Sequence, residues 1–353
     1  KKDATLASVR VGLIVQLDSG SGFEVGLGEV SPLAGVHQET LEVAEQELSD
    51  IRNCLKLEKG ESIPAFDPSE VLALDGSLTK FLHDIARCTG RDEFLPSVRF
   101  GFEMAILSLA SQKIGLPIHQ ALALKNEKAA GRSNGLPLSG LITRQSSTRK
   151  RAKPARSAES RSFPSLKVKV GHQELRDDLL AMQRGYNGRH GGKIRADVNR
   201  AWNESQAIEF TTALQGLDVN AMEKVEFLEE PLQKVTVESG SWSLEDQVQA
   251  LERSYFHTSI RYALDETLAD LAKMHDWSYD TIKVSLEQVF GSGNRGCAAF
   301  VLKPAVLGIE LSFRIARFAR KDLGIGVVVS SCFESGLALA HIAFLGHLVD
   351  AIS

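Results

Sequence analysis

The stretch Ser165–Gly171, SLKVKVG, places two lysines in a short apolar run that is typical of a β-strand. Because side chains alternate along a strand, Lys167 and Lys169 point to the same side and their ammonium groups lie close together. A neighbouring cation lowers the pKa of a lysine from about 10.4 towards the roughly 7–8 that suits a general base. The alternative is an edge strand with two solvated surface lysines.

Seven short β-rich runs alternate with helical stretches over the rest of the chain, at a spacing of roughly 30 to 40 residues. The runs are Leu136–Ile142, Ser165–Val170, Lys193–Val198, Val225–Leu228, Ile260–Leu264, Ala298–Leu302 and Ile325–Ser330. This spacing is typical of repeated βα units, which form a parallel sheet. Seven such units favour an α/β barrel over an open, doubly wound sheet, and they predict catalytic groups at the carboxyl ends of the strands.

The residues before this alternation have a different pattern. A hairpin is predicted over Val9–Leu17 and Phe23–Val30, followed by helices over His37–Leu57, Leu78–Thr89 and Phe100–Ile114, the last opened by Pro96. The third helix is apolar on most sides, so we expect it to be buried. A hairpin followed by helices predicts an α+β domain over residues 1–132, with the barrel over residues 133–353.

Three of the predicted strands end in carboxylates. Lys193–Trp202 reads KIRADVNRAW and contains Asp197, Val225–Leu232 reads VEFLEEPL and contains Glu229, and Arg261–Thr267 reads RYALDET and contains Asp265. Carboxylates at neighbouring strand ends repel one another unless a cation lies between them, and all-oxygen ligation favours Mg²⁺. The alternative for each aspartate alone is a helix cap.

A third lysine ends the sixth run. Ala299–Leu307 reads AFVLKPAVL, so we expect Lys303 to face Lys167 and Lys169 across the mouth of the barrel. A metal flanked by lysines on opposite walls suits removal of a proton next to a carboxylate, because the metal stabilises the ene-diolate that forms. Taken alone, Lys303 is equally consistent with a surface lysine.

These motifs resemble the enolase superfamily, and within it the muconate-lactonizing subgroup. The motifs that carry the resemblance follow one another along the chain as K-x-K, D-x-N, E-E-P, D-E-[ST] and K-P. The o-succinylbenzoate synthases, in their plant-type form, are the most similar members of that subgroup, on the segments Gly28–Leu33, Pro96–Met104, Arg195–Trp202 and Ser330–Gly336. The resemblance implies an α+β capping domain over a modified (β/α)₇β TIM barrel. Judged by this resemblance, we expect the closing barrel strand and the first strand of the cap to lie outside the given sequence.

The resemblance also implies the roles of individual residues. It implies Asp197, Glu229 and Asp265 as ligands of Mg²⁺, with Mn²⁺ as an alternative. It implies Lys169 as the base, Lys167 as the neighbour that binds a substrate carboxylate, and Lys303 as the cation opposite. Further substrate contacts are expected from Arg195, Asn199, Ser330 and Ser331.

The implied reaction is the dehydration of 2-succinyl-6-hydroxy-2,4-cyclohexadiene-1-carboxylate, which gives o-succinylbenzoate for menaquinone or phylloquinone synthesis. One alternative is an N-acylamino acid racemase, dipeptide epimerase or cycloisomerase of the same subgroup. Another is a barrel that has lost catalysis and serves as a domain of a fused polypeptide.

Composition limits the partners that we expect. A formal net charge of −4 gives no reason to expect nucleic acid, and no apolar run is long enough for a membrane span, so the expected partner is a small-molecule substrate. The cysteines Cys54, Cys88, Cys297 and Cys332 are widely spaced, which predicts free thiols in a reducing compartment. We therefore expect the cytoplasm, or the chloroplast in a plant.

Two stretches do not follow the βα pattern. Residues 144–161 are strongly basic and contain Pro154, which predicts a broken connector in place of a barrel helix, with a nucleic-acid patch as the alternative. Gly291–Gly296, GSGNRG, lacks the pattern of a phosphate loop and predicts a turn. The chain begins Lys-Lys and ends Ala-Ile-Ser, so we expect a segment of a longer polypeptide.

Overall fold

A computed structural model describes residues 12–18, 24–57, 66–126, 135–142, 163–171, 174–187, 192–216, 221–236 and 240–352. Contacts between residues divide the chain into two units. The first unit contains residues 1–133, 302–317 and 329–353, and the second contains residues 134–301 and 318–328. The two predicted domains, residues 1–132 and 133–353, stay predictions as functional divisions.

The first unit begins with the predicted hairpin and a group of helices. Its elements are β1 (Leu13–Asp18), β2 (Val25–Val30), α1 (Leu41–Leu57), α2 (Pro68–Val71), α3 (Ser77–Cys88), α4 (Pro96–Lys113) and α5 (Ile118–Lys125). Strands β1 and β2 are antiparallel, with Leu13 opposite Val30. The predicted hairpin and the three helices that follow it are thus present, and residues 9–11 and 19–23 of the hairpin prediction lie outside the described residues.

Helix α4 is the buried centre of this unit, as its sequence predicts. Fourteen of its 18 residues are buried. It begins at Pro96 and not at Phe100, because proline fits the first helical turn, where its missing N–H has no partner to lose. Strand β2 packs so closely on α4 that a Cβ added to Gly28 would lie 1.7 Å from the carbonyl oxygen of Gly101.

The second unit contains the predicted alternation of strands and helices. Its elements are β3 (Ser139–Ile142), β4 (Ser165–Lys169), α6 (Leu175–Asn187), β5 (Lys193–Asp197), α7 (Glu204–Gln215), α8 (Ala221–Lys224), β6 (Val225–Glu229), α9 (Leu244–Thr258), β7 (Tyr262–Leu264), α10 (Glu266–Met274), α11 (Tyr279–Phe290) and β8 (Cys297–Leu302). The chain continues with α12 (Pro304–Leu307), α13 (Ile309–Lys321), β9 (Gly326–Val329) and α14 (Gly336–Ala351). Of these last four elements, α12, α14 and most of α13 fall in the first unit, and most of β9 falls in the second.

Strands β3 to β9 form one seven-stranded sheet in chain order, and the register is parallel at each pairing from β3 to β8. All seven predicted strands are present. Strand β3 begins at Ser139 and not at Leu136, because Pro137 has no N–H to donate to a sheet. Within the described residues, β3 and β9 are the two outer strands.

The sheet carries a buried apolar layer next to the carboxyl ends of its strands. Phe227, Ala263, Ala299 and Val301 form one cluster on β6, β7 and β8. Because side chains alternate, Glu229 shares the strand face of Phe227. The carboxyl group of Glu229 at the end of β6 therefore lies next to this packed apolar cluster.

The two stretches that depart from the βα pattern have different outcomes. Gly291–Gly296 lies between α11 and β8, as a turn prediction requires. The basic segment 144–161 lies outside the described residues.

Candidate active site

Lys167 and Lys169 both reach carboxylates of the neighbouring strands. Lys167 Nζ lies 2.6 Å from Glu229 Oε1 and 2.9 Å from Asp197 Oδ2. Lys169 Nζ lies 2.5 Å from the same Asp197 Oδ2 and donates to Asn199 Oδ1 at 2.6 Å. The two ammonium groups therefore lie together at one carboxylate oxygen, on the common side of β4 that their spacing predicts, and both are paired with buried acids.

Asp197 and Glu229 are the last residues of β5 and β6, and they are paired in the parallel register of the sheet. Their exposed fractions are 0% and 2%. On the opposite edge of β5, Asp197 pairs in register with Lys169 of β4. Three consecutive strands, β4, β5 and β6, thus align Lys169, Asp197 and Glu229. The strand ends thus bring the two buried acids, Asp197 and Glu229, into line with the partly exposed Lys169.

Asp265 directly follows β7 and is 3% exposed. It occupies the N-cap position of α10, but its side chain makes no capping hydrogen bond. The alternative that Asp265 serves only as a helix cap is therefore not supported by the geometry. Its charge acts on Lys167 together with the charges of Glu229 and Asp197.

The carboxylates, and not the neighbouring cation, control the protonation of Lys167. Burial by itself would lower the pKa of Lys167, but the negative charges of Glu229, Asp197 and Asp265 outweigh burial and raise it. The prediction that neighbouring ammonium groups dominate is therefore wrong for Lys167. In the same way, Lys167 and Lys169 lower the pKa of Asp197 despite its burial.

The three carboxylates offer the oxygen donors that a hard divalent ion prefers, but lysine side chains lie among them in this structure. Among the described residues, no group of three or more histidine, cysteine, aspartate or glutamate side chains is arranged to hold a metal. The reason is visible at Lys167 Nζ, which contacts Asp197 and Glu229 at once. Asp197 Oδ1 is nevertheless buried with no hydrogen-bond partner among the described residues, and a buried carboxylate oxygen of this kind suits Mg²⁺.

Arg195 and Asn199 have different surroundings. Arg195 lies within β5, where its Nε donates to Glu226 Oε2 at 2.7 Å, so an ion pair occupies its guanidinium. Asn199 follows β5 with a φ of +49° and lies beside the lysines, because Lys169 Nζ donates to its amide oxygen. Its amide nitrogen donates to Glu266 Oε1 at 2.9 Å. Asn199 thus joins the cluster, and Arg195 lies two residues before Asp197.

Lys303, Ser330 and Ser331 belong to the first unit and are described with it. Lys303 directly follows β8 at the N-cap position of α12, as predicted for a strand-end lysine, and it is partly buried. Ser330 N donates to Leu302 O at 2.8 Å, and Ser331 is exposed. Their predicted roles toward a substrate stay predictions.

Sequence reasoning missed two acids that organise the strand ends. Glu266 accepts from Asn199. The carboxylate of Glu230 is fully buried and accepts four hydrogen bonds, from Arg200 Nε, Asp265 N, Thr267 N and Thr267 Oγ1. Each directly follows a predicted metal ligand in the sequence, as E-E-P and D-E-T. That adjacency was the available signal.

Comparison with known proteins agrees with the resemblance. The family model described as enolase C-terminal domain-like matches residues 149–281, which include Lys167, Lys169 and the three carboxylates. A likeness to solved structures extends over nearly the whole chain. The MenC structure from Desulfotalea psychrophila has a TM-score of 0.65 and 21% identity, covering 97% of this chain and 89% of that one. The dipeptide epimerase from Cytophaga hutchinsonii, complexed with Mg and D-Ala-L-Val, has a TM-score of 0.64 and 20% identity, covering 97% and 76%.

The chain resembles the enolase superfamily in sequence and has its fold, a modified TIM barrel with an α+β domain. Among curated relatives, the chloroplastic protein PHYLLO of Arabidopsis thaliana is 29% identical over 350 residues. That match covers 96% of this chain but only 18% of PHYLLO. The o-succinylbenzoate synthase of Aliivibrio fischeri strain MJ11 is 27% identical over 337 residues, covering 95% of this chain and 78% of the relative. Within the part of the chain that the structure describes, no helix has the length and apolar character of a membrane span.

Proposed function

We propose that this chain is a metal-dependent lyase that dehydrates 2-succinyl-6-hydroxy-2,4-cyclohexadiene-1-carboxylate to o-succinylbenzoate. The observation that carries the proposal is the meeting of Lys167 and Lys169 at Asp197, beside Glu229, on three consecutive strand ends. The relatives named o-succinylbenzoate synthase support the choice of substrate. A pair of lysines beside buried acids suits proton removal next to a carboxylate.

Lys169 is the base in this proposal because of how its amine is held. Its side chain is 37% exposed, against 21% for Lys167, so Lys169 is the more accessible of the two. A neutral amine has two N–H groups, which Asp197 Oδ2 and Asn199 Oδ1 accept. The remaining direction at Nζ carries the lone pair, which is then free to take a proton.

The reaction has two steps at the ring. Lys169 Nζ takes the proton from the carbon next to the carboxylate, and the electrons of that C–H bond move into the carboxylate. The bond from the neighbouring carbon to its hydroxyl then breaks, and the proton on Lys169 goes to that oxygen, so one water leaves. The ring becomes aromatic, which favours the second step.

The other residues bind charge in the proposal. Lys167, held by Asp197 and Glu229, binds the substrate carboxylate as a cation. Asp197, Glu229 and Asp265 would hold Mg²⁺, or Mn²⁺, which when bound supplies positive charge to the carboxylate as negative charge develops there. Roles for Lys303 as a cation over the ring, and for Arg195, Asn199, Ser330 and Ser331 as substrate contacts, belong to the same proposal.

Incubation of the chain with Mg²⁺ and the cyclohexadiene substrate tests the proposal. We expect o-succinylbenzoate, identified by chromatography and mass spectrometry, to appear at a rate proportional to protein concentration. A chain that gives no product, but exchanges the α-proton of dipeptides or N-acylamino acids with D₂O from either enantiomer, would instead be an epimerase or racemase. The fold shared with a dipeptide epimerase is the reason to include these substrates.

The non-catalytic alternative has its own test. Calorimetric titration of the folded chain with Mg²⁺ and o-succinylbenzoate should show saturable binding if the chain is an enzyme. Absence of binding would favour a structural domain. We further propose that the chain is one part of a fused polypeptide, located in the chloroplast if it comes from a plant, since the matching region is 18% of the chloroplastic protein PHYLLO.

A further inference from the structure

The side-chain amide of Asn199 lies between two groups of opposite charge. Its oxygen accepts from Lys169 Nζ at 2.6 Å, and its nitrogen donates to Glu266 Oε1 at 2.9 Å. An ammonium group can only donate hydrogen bonds, and an ionised carboxylate can only accept them. One orientation of the amide therefore satisfies both neighbours, and the reversed orientation satisfies neither.

The backbone on both sides of Asn199 is fixed by the end of β6. Val198 N donates to Glu229 O at 3.1 Å, and Arg200 N donates to Glu230 O at 2.8 Å. Asn199 itself has a φ of +49°, in the left-handed region that asparagine tolerates better than most residues. Because the backbone is held in this way, the orientation of the side-chain amide depends on its two partners.

Glu266 is held at the start of α10. It is the first residue of that helix, where the helix dipole favours a negative charge. The residues on either side of it are anchored as well, because Asp265 N and Thr267 N both donate to Glu230 Oε2. Glu266 thus offers Asn199 an acceptor whose position is set by the junction of β7 and α10.

The orientation of the Asn199 amide affects the amine of Lys169. Lys169 Nζ lies 2.5 Å from Asp197 Oδ2 and 2.6 Å from Asn199 Oδ1. These two acceptors define two of the directions at a tetrahedral nitrogen, and they restrict where the remaining directions point. With the amide reversed, its own N–H groups would face the amine, and this restriction would be lost.

We propose that Glu266 is a positioning residue for the reaction, which orients the amine of Lys169 by holding the amide of Asn199 in one orientation. The inference rests on the proposed function, because the role of Lys169 as the base belongs to it. Glu266 acts without touching the substrate, since its effect passes through the hydrogen bond to Asn199. A displacement of about 1 Å in a reacting group can cost about 10²-fold in rate.

The test compares Glu266→Ala with the matched variant Glu204→Ala in the full chain. Glu204 is likewise the first residue of a helix, α7, and it also accepts a hydrogen bond, from Arg253 Nη2 at 2.6 Å. Both substitutions therefore remove an acid from the start of a helix, but only Glu266→Ala removes a partner of Asn199. The measured quantities are kcat and KM with the cyclohexadiene substrate and Mg²⁺, and thermal unfolding checks that both variants are folded.

We expect Glu266→Ala to lower kcat by roughly 10- to 100-fold and to change KM by less than about threefold, because the loss concerns proton removal and not substrate binding. We expect Glu204→Ala to change kcat by less than about twofold, since its ion pair is exposed. Equal kcat values for the two variants would overturn the inference. A wild-type chain that forms no o-succinylbenzoate would instead refute the proposed function, and the inference with it, before any variant is compared.

A double-mutant cycle separates positioning from a purely structural role of Glu266. Asn199→Gly removes the amide and introduces a residue that readily adopts a positive φ. If Glu266 acts through Asn199, adding Glu266→Ala to Asn199→Gly should lower kcat further by less than about twofold. Losses that multiply in the double variant would show that Glu266 acts by another route, and they would overturn the inference.

A milder variant keeps the inference testable if Glu266→Ala does not fold. Glu266→Gln keeps an oxygen that can accept from Asn199, but it also introduces N–H groups and so no longer imposes one orientation on the amide. We expect its kcat to lie about threefold below that of the wild type, with KM unchanged. A kcat equal to that of the wild type would contradict the inference.

Discussion

Lys167 Nζ donates to Glu229 Oε1 at 2.6 Å, so the carboxyl group that ends β6 is paired with a lysine two strands away, although burial still raises its pKa to about 8. The same ammonium group lies 2.9 Å from Asp197 Oδ2. Both carboxylates are buried, and a buried charge that loses its partner is strongly destabilising. Lys167 is therefore required for the stability of the metal-free protein as well as for the proposed chemistry.

Replacement of Lys167 by methionine tests this dual requirement. We expect Lys167→Met to lower the free energy of unfolding of the metal-free protein by about 3 kcal/mol, because two buried carboxylates lose a common cation. Urea unfolding in the presence of a chelator measures the change. Lys193→Met is the control, since Lys193 is exposed at the start of β5. Equal stability of the two variants would contradict the account.

Glu47 on α1 gives a prediction for pH dependence. Burial raises the pKa of Glu47 to about 7, even though Leu95 N donates to it at 3.0 Å and Arg91 lies 3.3 Å away. Between about pH 4.5 and pH 7 the folded protein keeps a proton on Glu47 that the unfolded chain releases, so stability decreases as pH rises through this window.

We expect Glu47→Gln to remove this dependence. The stability of Glu47→Gln relative to the wild type should increase by about 3 kcal/mol between pH 4.5 and pH 7.5. Urea unfolding at several pH values measures this difference in the free energy of unfolding. The control is Glu45→Gln, at an exposed position on the same helix, whose stability should depend on pH in the same way as that of the wild type. A Glu47→Gln curve that also runs parallel to the wild type would show that Glu47 is ionised in the folded protein.

Gly28 tests the packing of β2 on α4. A Cβ at this position would lie 1.7 Å from Gly101 O, so one element must move. We expect Gly28→Ala to destabilise the protein by at least about 2 kcal/mol. Gly135→Ala is the control, because nothing lies within 4 Å of a Cβ added there. Thermal unfolding compares the two, and an unchanged midpoint for Gly28→Ala would show that the two elements are less closely packed.

The strands and the candidate site were predictable because each depends on short local patterns. The alternation of side chains along a strand places Lys167 and Lys169 on the same side of β4. Asp197 and Glu229 each end a short β-rich run. Glu230 could not be predicted in the same way. Its four donors lie on residues distant in the sequence, so only the folded chain reveals that it, and not Asp265, caps α10.

Long-range contacts also explain what was missed in the first unit. Glu310 on α13 accepts from the backbone N–H groups of Gly76, Leu78 and Thr79 at the start of α3. The sequence near Ser77 cannot predict that the acceptor for these N–H groups is Glu310, more than 230 residues later in the chain. Helix α14 was overlooked for a different reason, because its apolar residues continue around the helix and leave little periodicity to detect.

The central claim, that Lys169 removes the proton, is tested most directly by the turnover of Lys169→Ala with the cyclohexadiene substrate and Mg²⁺. We expect its kcat to fall by roughly 10³-fold or more while calorimetry shows Mg²⁺ affinity within about threefold of the wild type, because a general base acts on the reaction and not on the ion. Lys193→Ala, at an exposed position on the next strand, should keep the wild-type rate. A Lys169→Ala variant that binds Mg²⁺ and forms o-succinylbenzoate at the wild-type rate would contradict the account.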